Sequence, residues 1–90
     1  MIVEAVIITD LFQTYTGKRG KRSVRVLNCI ERRRADQPAL KSTFDFILSQ
    51  LDEETHPNNL CDKHIILGIT EVRPGFGGRP QLLGTIVKVK

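Results

Sequence analysis

Basic side chains are concentrated in residues 15–34 of this 90-residue chain. Eight of the fourteen lysines and arginines lie there beside a single acid, although the net charge of the whole chain is only +4. They are Lys18, Arg19, Lys21, Arg22, Arg25, Arg32, Arg33 and Arg34. Gly17 and Gly20 divide the run into a flexible tip, and Phe12 and Tyr15 lie just upstream. Cations that neutralise phosphates and rings on which bases stack are the two components of single-stranded nucleic-acid binding, so the stretch favours such a site over a plain solvated loop.

Side chains that could hold a metal ion or act in hydrolysis are present, but they form no motif. His56, Cys61 and His64 have the close spacing of zinc ligands, with Cys29 as a candidate fourth, yet no C-x-x-C pair accompanies them. A nuclease needs carboxylates clustered around a divalent ion, and those available are Asp10, Asp45, Asp52, Glu53 and Glu54. No nucleophile or phosphate-loop signature is present. We therefore expect no metal, no other cofactor and no enzymatic activity.

A second candidate binding element is the glycine-rich segment around Phe76. Residues 74–78 read Pro-Gly-Phe-Gly-Gly, and an aromatic ring at the tip of such a turn either docks on a partner subunit or is offered to a base. The alternative is that the ring folds back over its own core. Together with the basic stretch, this segment completes the predicted nucleic-acid-binding set, which is Tyr15, Lys18, Arg19, Lys21, Arg22, Arg25, Phe76 and Arg79.

Short β-strands must position these side chains, because the apolar residues come in short runs separated by seven glycines and four prolines. The predicted strands are 1–13, 23–32, 39–51, 63–72 and 81–90, with a long basic arm at 14–22, a polar connection at 33–38, an acidic loop at 52–59 and a tight turn at 73–80. Residues 1–13 carry apolar side chains on both parities, which predicts a strand packed on both faces. Segment 39–51 also fits a helical stripe capped by Ser42 with Asp45, but its Thr-Phe-Asp-Phe-Ile-Leu run favours a strand.

The predicted architecture is all-β: one domain of residues 1–90, folded as a small five-stranded OB-like (Greek-key) barrel with a long basic β-hairpin arm. Ninety residues suffice for a single modest core. No apolar run reaches the length of a membrane span, and Glu4 and Asp10 interrupt the first apolar segment, so we expect a soluble cytoplasmic protein without a signal peptide. Cys29 and Cys61 are expected to be buried free thiols.

With these features in view, the chain resembles the single-stranded-DNA-binding, helix-destabilising proteins of filamentous bacteriophages. The likeness lies in the start Met-Ile-Val-Glu, in Arg19-Gly20-Lys21-Arg22-Ser23 leading into a strand with Cys29, in Leu51-Asp52-Glu53, and in Val72-Arg73-Pro74-Gly75-Phe76-Gly77 before a last apolar strand. The resemblance implies an OB-like barrel that forms a homodimer through the hairpin at residues 72–82. It also implies cooperative coating of single-stranded DNA during phage-type replication, in the host cytoplasm if the protein is phage-encoded.

The same resemblance implies that Arg19 and Lys21 contact phosphates and that Phe76 reaches DNA bound to the other subunit. One departure matters, because Ser23 stands where the family's arm has a tyrosine, so that Tyr15 or Phe12 would have to supply the stacking ring. The predicted function is therefore sequence-independent binding of single-stranded DNA, without catalysis and without a membrane. The alternatives are an RNA-binding barrel of the cold-shock or ribosomal kind and a basic protein-interaction module.

Overall fold

Five strands and one short helix make up the regular structure of the residues that the computed structural model describes, which are 1–32, 43–75 and 79–90; the side chain of Tyr15 lies outside the description. The elements are β1 (Ile2–Gly17), β2 (Gly20–Glu31), β3 (Thr43–Ile47), α1 (Gln50–Thr55), β4 (His64–Pro74) and β5 (Pro80–Val89). The all-β prediction is confirmed. No helix within these ranges has the length and apolar character needed to span a membrane.

The strands pair in the order β1-β2-β3-β5-β4, and β4 pairs in turn with β1, so that the sheet closes into a barrel. The pairing of β3 with β5 is parallel, whereas the other four pairings are antiparallel. The barrel interior is filled by apolar side chains from all five strands, and its largest fully buried members are Phe46, Ile7, Leu27, Ile65, Leu67 and Cys29. Closure leaves none of these described strands with a fully unpaired edge.

Strand β1 buries one face along its barrel portion, so the prediction that it packs on both faces is wrong. Val3, Ala5 and Ile7 enter the core, while Ile2 stays 67% exposed on the outer face. A register shift between Ile7 and Thr9 then inserts Ile8 as an extra residue. Because a bulge reverses the alternation of side chains, Asp10 rather than its apolar neighbours turns inward and is buried.

The basic arm is a β-hairpin, as predicted, but its two strands continue through most of residues 14–22, which were predicted as its loop. From Gln13 and Val24 outward, β1 and β2 pair only with each other, and the ladder continues to Gly17 opposite Gly20. Lys18 and Arg19 form the turn, and Gly20 has φ 104°, a conformation that L side chains rarely adopt. The described side chains of residues 11–23 are all exposed, so the ribbon projects from the barrel.

The segment predicted as a strand at residues 39–51 is a strand only at Thr43–Ile47, and residues 39–42 lie outside the description. Helix α1 begins at Gln50 because the Ser49 side chain caps it, with Oγ accepting the Asp52 N–H at 3.2 Å. Asp52 is itself buried and its Oδ1 accepts the Ile86 N–H of β5 at 3.3 Å. The predicted acidic loop at 52–59 therefore starts as a helix that is anchored to the barrel.

At the turn predicted for residues 73–80, β4 and β5 extend further than predicted and reduce the turn to the segment between Pro74 and Pro80. Gly84 lies where β5 passes close to β4, since a Cβ built on it would be 1.8 Å from the Gly68 carbonyl oxygen. Only glycine allows that approach. The predicted connection at 33–38 and the ring of Phe76 lie outside the described residues.

Candidate nucleic-acid interface

Four cations of the basic arm are exposed and available to a ligand. Lys18 and Arg19 occupy the turn, while Lys21 and Arg22 are adjacent on β2 and so point to opposite faces of the ribbon. None of the four forms an ion pair or hydrogen bond with a side chain in the described part of the chain. A ribbon with unpaired cations at its turn and on both faces can neutralise phosphates from either side.

The arm is continuous with a groove on the outside of the barrel, which we call the outer groove. Its volume is about 510 Å³, and its walls come from β2, β3, β4, β5 and the start of α1, among them Arg22, Val24, Ile47, Gln50, Arg73 and Leu83. Arg22 thus belongs both to the arm and to the groove, and an extended ligand held by the arm can continue across the barrel surface.

An apolar row crosses the outer face of the barrel at the level of this groove. Leu11 pairs with Val26, Val26 with Ile47, and Ile47 with Leu83. Directly paired residues point to the same face of a sheet, so these four side chains form one ladder across β1, β2, β3 and β5. Val26 is buried, whereas Leu11 is 62% exposed and Ile47 and Leu83 are partly exposed. The row therefore offers apolar contact to the faces of unstacked bases through these three side chains.

A polar row lies two residues further along each strand, formed by Thr9, Asn28, Asp45, Gln81 and Arg73. Asp45 is paired with Arg79 at 3.1 Å between Oδ1 and Nη2. Arg73 is paired with Glu71 at 2.8 Å, and this hydrogen bond raises the pKa of Arg73 above its ordinary value. The two arginines near the β4–β5 hairpin are therefore neutralised within the molecule, unlike the cations of the arm.

Arg25 was predicted to contact phosphate, and the structure shows that this is wrong. The side chain is buried, donates from Nε to Asp10 Oδ1 at 2.7 Å and from Nη2 to Asp10 Oδ2, and donates further to the carbonyl oxygens of His56 and Asn58. Burial alone would raise the pKa of Asp10, but the hydrogen bonds from Arg25 and from the Leu60 N–H outweigh it and lower that pKa. Arg25 holds the loop after α1 against the arm's base instead of facing solvent.

The structure describes only part of the aromatic set that was predicted for the site. Phe76 and the side chain of Tyr15 lie outside the described residues, although the backbone register pairs Tyr15 with Arg22. Phe12, considered as a substitute for the family's tyrosine, is 66% exposed at the base of the arm. It follows Leu11 in β1 and pairs with Arg25, so it lies on the face of the ribbon opposite to the apolar row.

The candidate metal ligands are dispersed. No group of three His, Cys, Asp or Glu residues in the described ranges could hold a metal ion. Cys29 is buried as predicted, and burial, assisted by the charge of Asp45, raises its pKa to about 12. Cys61 is exposed, contrary to prediction, and its Sγ donates to the Ile8 carbonyl at 3.0 Å. His64 lies beside Arg32, with 2.8 Å between Nδ1 and Nη1.

The outer groove, the apolar row and the Asp45–Arg79 pair were not found from the sequence. All three depend on strand order and register. The sequence spacing of residues on separate strands does not reveal which of them become neighbours. Comparison of the chain with protein-family models, with curated proteins and with solved structures returned no match. The functional assignment therefore depends on the geometry of the site.

Proposed function

We propose that this protein binds single-stranded DNA without sequence preference, using the basic arm and the outer groove. The observation that carries the proposal is the set of four exposed cations on the projecting ribbon that have no partner among the described residues, which are Lys18, Arg19, Lys21 and Arg22. Arms of this kind attract a polyanion through its phosphates, independently of base sequence. The ribbon leads into a groove with an apolar floor, which suits bases that are not paired with a second strand.

We further propose that the barrel is OB-like. Its β1-β2-β3-β5-β4 order, the parallel contact of β3 with β5 and the helix between β3 and β4 support this interpretation. Proteins with that fold bind oligonucleotides on the face of strands 2 and 3 and with the β1–β2 and β4–β5 loops. In this chain the first of those loops holds Lys18 and Arg19 and the second leads to Arg79.

The roles of the cations follow from position: the four arm cations and Arg79 contact phosphates. The stacking roles of Tyr15 and Phe76 are those predicted from the sequence, and Phe12 is added to them because its ring is 66% exposed at the base of the arm. Each phosphate neutralised contributes about 0.7 to the slope of log K against log salt, so the four arm cations together contribute about 3. Each stacked base contributes about 1–3 kcal/mol. Following the resemblance, we propose that the protein acts as a homodimer joined through residues 72–82 and coats the replicating strand of a phage in the host cytoplasm.

The test is a salt titration of fluorescent oligo(dT) with the wild-type protein and with the double variant Arg19→Glu/Lys21→Glu. We expect the variant to lose binding while its unfolding curve stays unchanged, because both side chains are exposed. The control is Lys63→Glu/Lys88→Glu, which makes the same change of charge at two exposed positions outside the arm and the outer groove. Equal loss in the two double variants would mean that net charge, not the arm, governs binding.

Competition distinguishes the ligand classes in the same assay. Preference for oligo(dT) over a duplex of equal length supports single-strand binding, and preference for a matched RNA would instead favour the RNA-binding alternative. Failure to bind any oligonucleotide near physiological salt would favour the protein-interaction module.

A further inference from the structure

An acidic side chain lies on the face that we propose for DNA. Asp45 is the central residue of the polar row, next to the apolar row of the outer groove. Its Oδ1 accepts two hydrogen bonds, one from Asn28 Nδ2 at 3.0 Å and one from Arg79 Nη2 at 3.1 Å. A carboxylate at this place repels a phosphate backbone, so its presence on a DNA-binding face requires an explanation.

The Asp45–Arg79 pair is open to exchange. The Arg79 side chain is 46% exposed and that of Asp45 is 20% exposed, so solvent and a ligand can reach the guanidinium. Pairs of this exposure contribute little to stability. A guanidinium binds carboxylate and phosphate with the same planar set of donors, so a phosphate can take the place of the carboxylate without a change in the geometry of Arg79.

Asn28 gives the carboxylate a second donor that does not depend on Arg79. Its Nδ2 lies on β2, while Arg79 comes from the segment before β5, so the two donors reach Asp45 from different elements. When Arg79 leaves, Asp45 keeps a hydrogen bond and its orientation. By contrast, Arg73 is paired with Glu71 of its own strand, two residues away.

We infer that, in the free protein, the Asp45 carboxylate is paired with Arg79 where a nucleic-acid phosphate would otherwise bind. Binding of single-stranded DNA then transfers Arg79 from Asp45 to a phosphate of the DNA backbone. This inference rests on the proposed function and assigns to Asp45 a limiting effect on affinity. Asp45 then acts as a competitor for the ligand, while the unpaired cations of the arm make the first contact.

The variant Asp45→Asn tests this inference, since it removes the charge and keeps an amide oxygen for Asn28. We expect oligo(dT) to bind about 2- to 5-fold more tightly, the range for release of an exposed ion pair. We also expect the salt slope to steepen by up to about 0.7, because the variant has no carboxylate that takes up a cation when Arg79 moves. The matched control is Glu4→Gln, which removes one charge from the Glu4–Lys90 pair outside the outer groove.

The double variant Asp45→Asn/Arg79→Gln separates exchange from simple removal of repulsion. If Arg79 is the group released, the gain in oligo(dT) affinity caused by Asp45→Asn disappears when the same change is made in a protein that already carries Arg79→Gln. Affinity of Asp45→Asn equal to that of Glu4→Gln, or weaker than wild type, would overturn the inference, as would a gain that persists in the double variant. Failure of the wild-type protein to bind oligo(dT) would overturn the proposed function itself. Normal binding by the wild-type protein that Asp45→Asn leaves unchanged would overturn only this inference.

Discussion

Asp10 and Arg25 meet inside the base of the arm, where both side chains are almost fully buried and joined by two hydrogen bonds. They are fifteen residues apart in sequence and come from neighbouring strands. Arg25 also holds the carbonyl oxygens of His56 and Asn58, and Asp10 accepts the Leu60 N–H. This network ties the loop between α1 and β4 to the hairpin and gives the projecting ribbon a fixed base.

The first prediction is that the stability of the fold falls as Asp10 is protonated. The pKa of Asp10 is lowered from its ordinary 3.8, so its ionised form stabilises the folded state at every pH above that value. The contribution is lost as the pH falls through the lowered pKa of the folded state. We expect Asp10→Asn to reduce the free energy of unfolding at pH 7 and to flatten the decline of that free energy as the pH falls below 3.8, measured by urea denaturation. Glu54→Gln, at an exposed site on α1, serves as the control.

The second prediction concerns Arg25 itself. Replacement by Met leaves the Asp10 charge buried without its partner, which costs about 3–5 kcal/mol of stability when a buried pair is broken. We expect the double replacement Asp10→Leu/Arg25→Met to recover part of that loss, because no isolated charge remains. The measurement is the unfolding midpoint of each variant. An Arg25→Met variant with normal stability but lowered DNA affinity would contradict the structural role and would support the phosphate contact that was predicted from the sequence.

The third prediction is that Gly84→Ala destabilises the barrel. A Cβ at this position meets the backbone of Gly68 and Ile69, and backbone atoms of a closed sheet cannot move aside as a flexible side chain can. We expect a loss of about 1–3 kcal/mol or more in thermal or urea unfolding. Gly17→Ala is the control, since a Cβ there has no atom within 4 Å; equal effects of the two changes would contradict the close approach.

The fourth prediction concerns stacking by Phe12. Because the ring is 66% exposed, Phe12→Ala should leave the unfolding curve nearly unchanged while it weakens oligo(dT) binding by about 1–3 kcal/mol. Phe12→Tyr should retain binding and Phe12→Leu should not, since stacking needs a flat ring. Wild-type affinity of Phe12→Leu for oligo(dT) would show that the side chain at this position supplies apolar area and not a stacking surface.

The fifth prediction tests the proposed dimer. Val72 is 58% exposed although its partner in the ladder, Leu82, is buried, so an apolar side chain at the proposed contact lacks a cover within the described residues. Val72→Asp should shift sedimentation from dimer to monomer. Val87→Asp is the control, since Val87 is also 58% exposed but lies outside residues 72–82. A monomeric wild-type protein would remove the dimer proposal without affecting the arm.

Most strands were predicted from local sequence patterns, and the errors in secondary structure occur where two local signals compete. The alternating Phe44, Phe46 and Leu48 identified β3 correctly because alternation needs no knowledge of the partner strand. The cap at Ser49 with Asp52 was present as an S-x-x-D motif before α1, but the surrounding apolar run concealed it. The β-hairpin arm was predicted, but residues 14–22 were assigned to its loop because their polar side chains lack an apolar face, whereas the ladder continues to Gly17 opposite Gly20.

The sequence by itself determined that the chain is β-rich and that its cations are concentrated before and within β2, because composition and alternation are local properties. Only the tertiary structure decided which of those cations are available to a ligand. Arg25 and Lys21 are equally basic in the sequence, yet the bulge at Ile8 turns Asp10 inward to meet the first, while the second lies on the exposed ribbon. Whether a charge is paired depends on which strands become neighbours, and the register of a closed barrel sets that through contacts between distant residues.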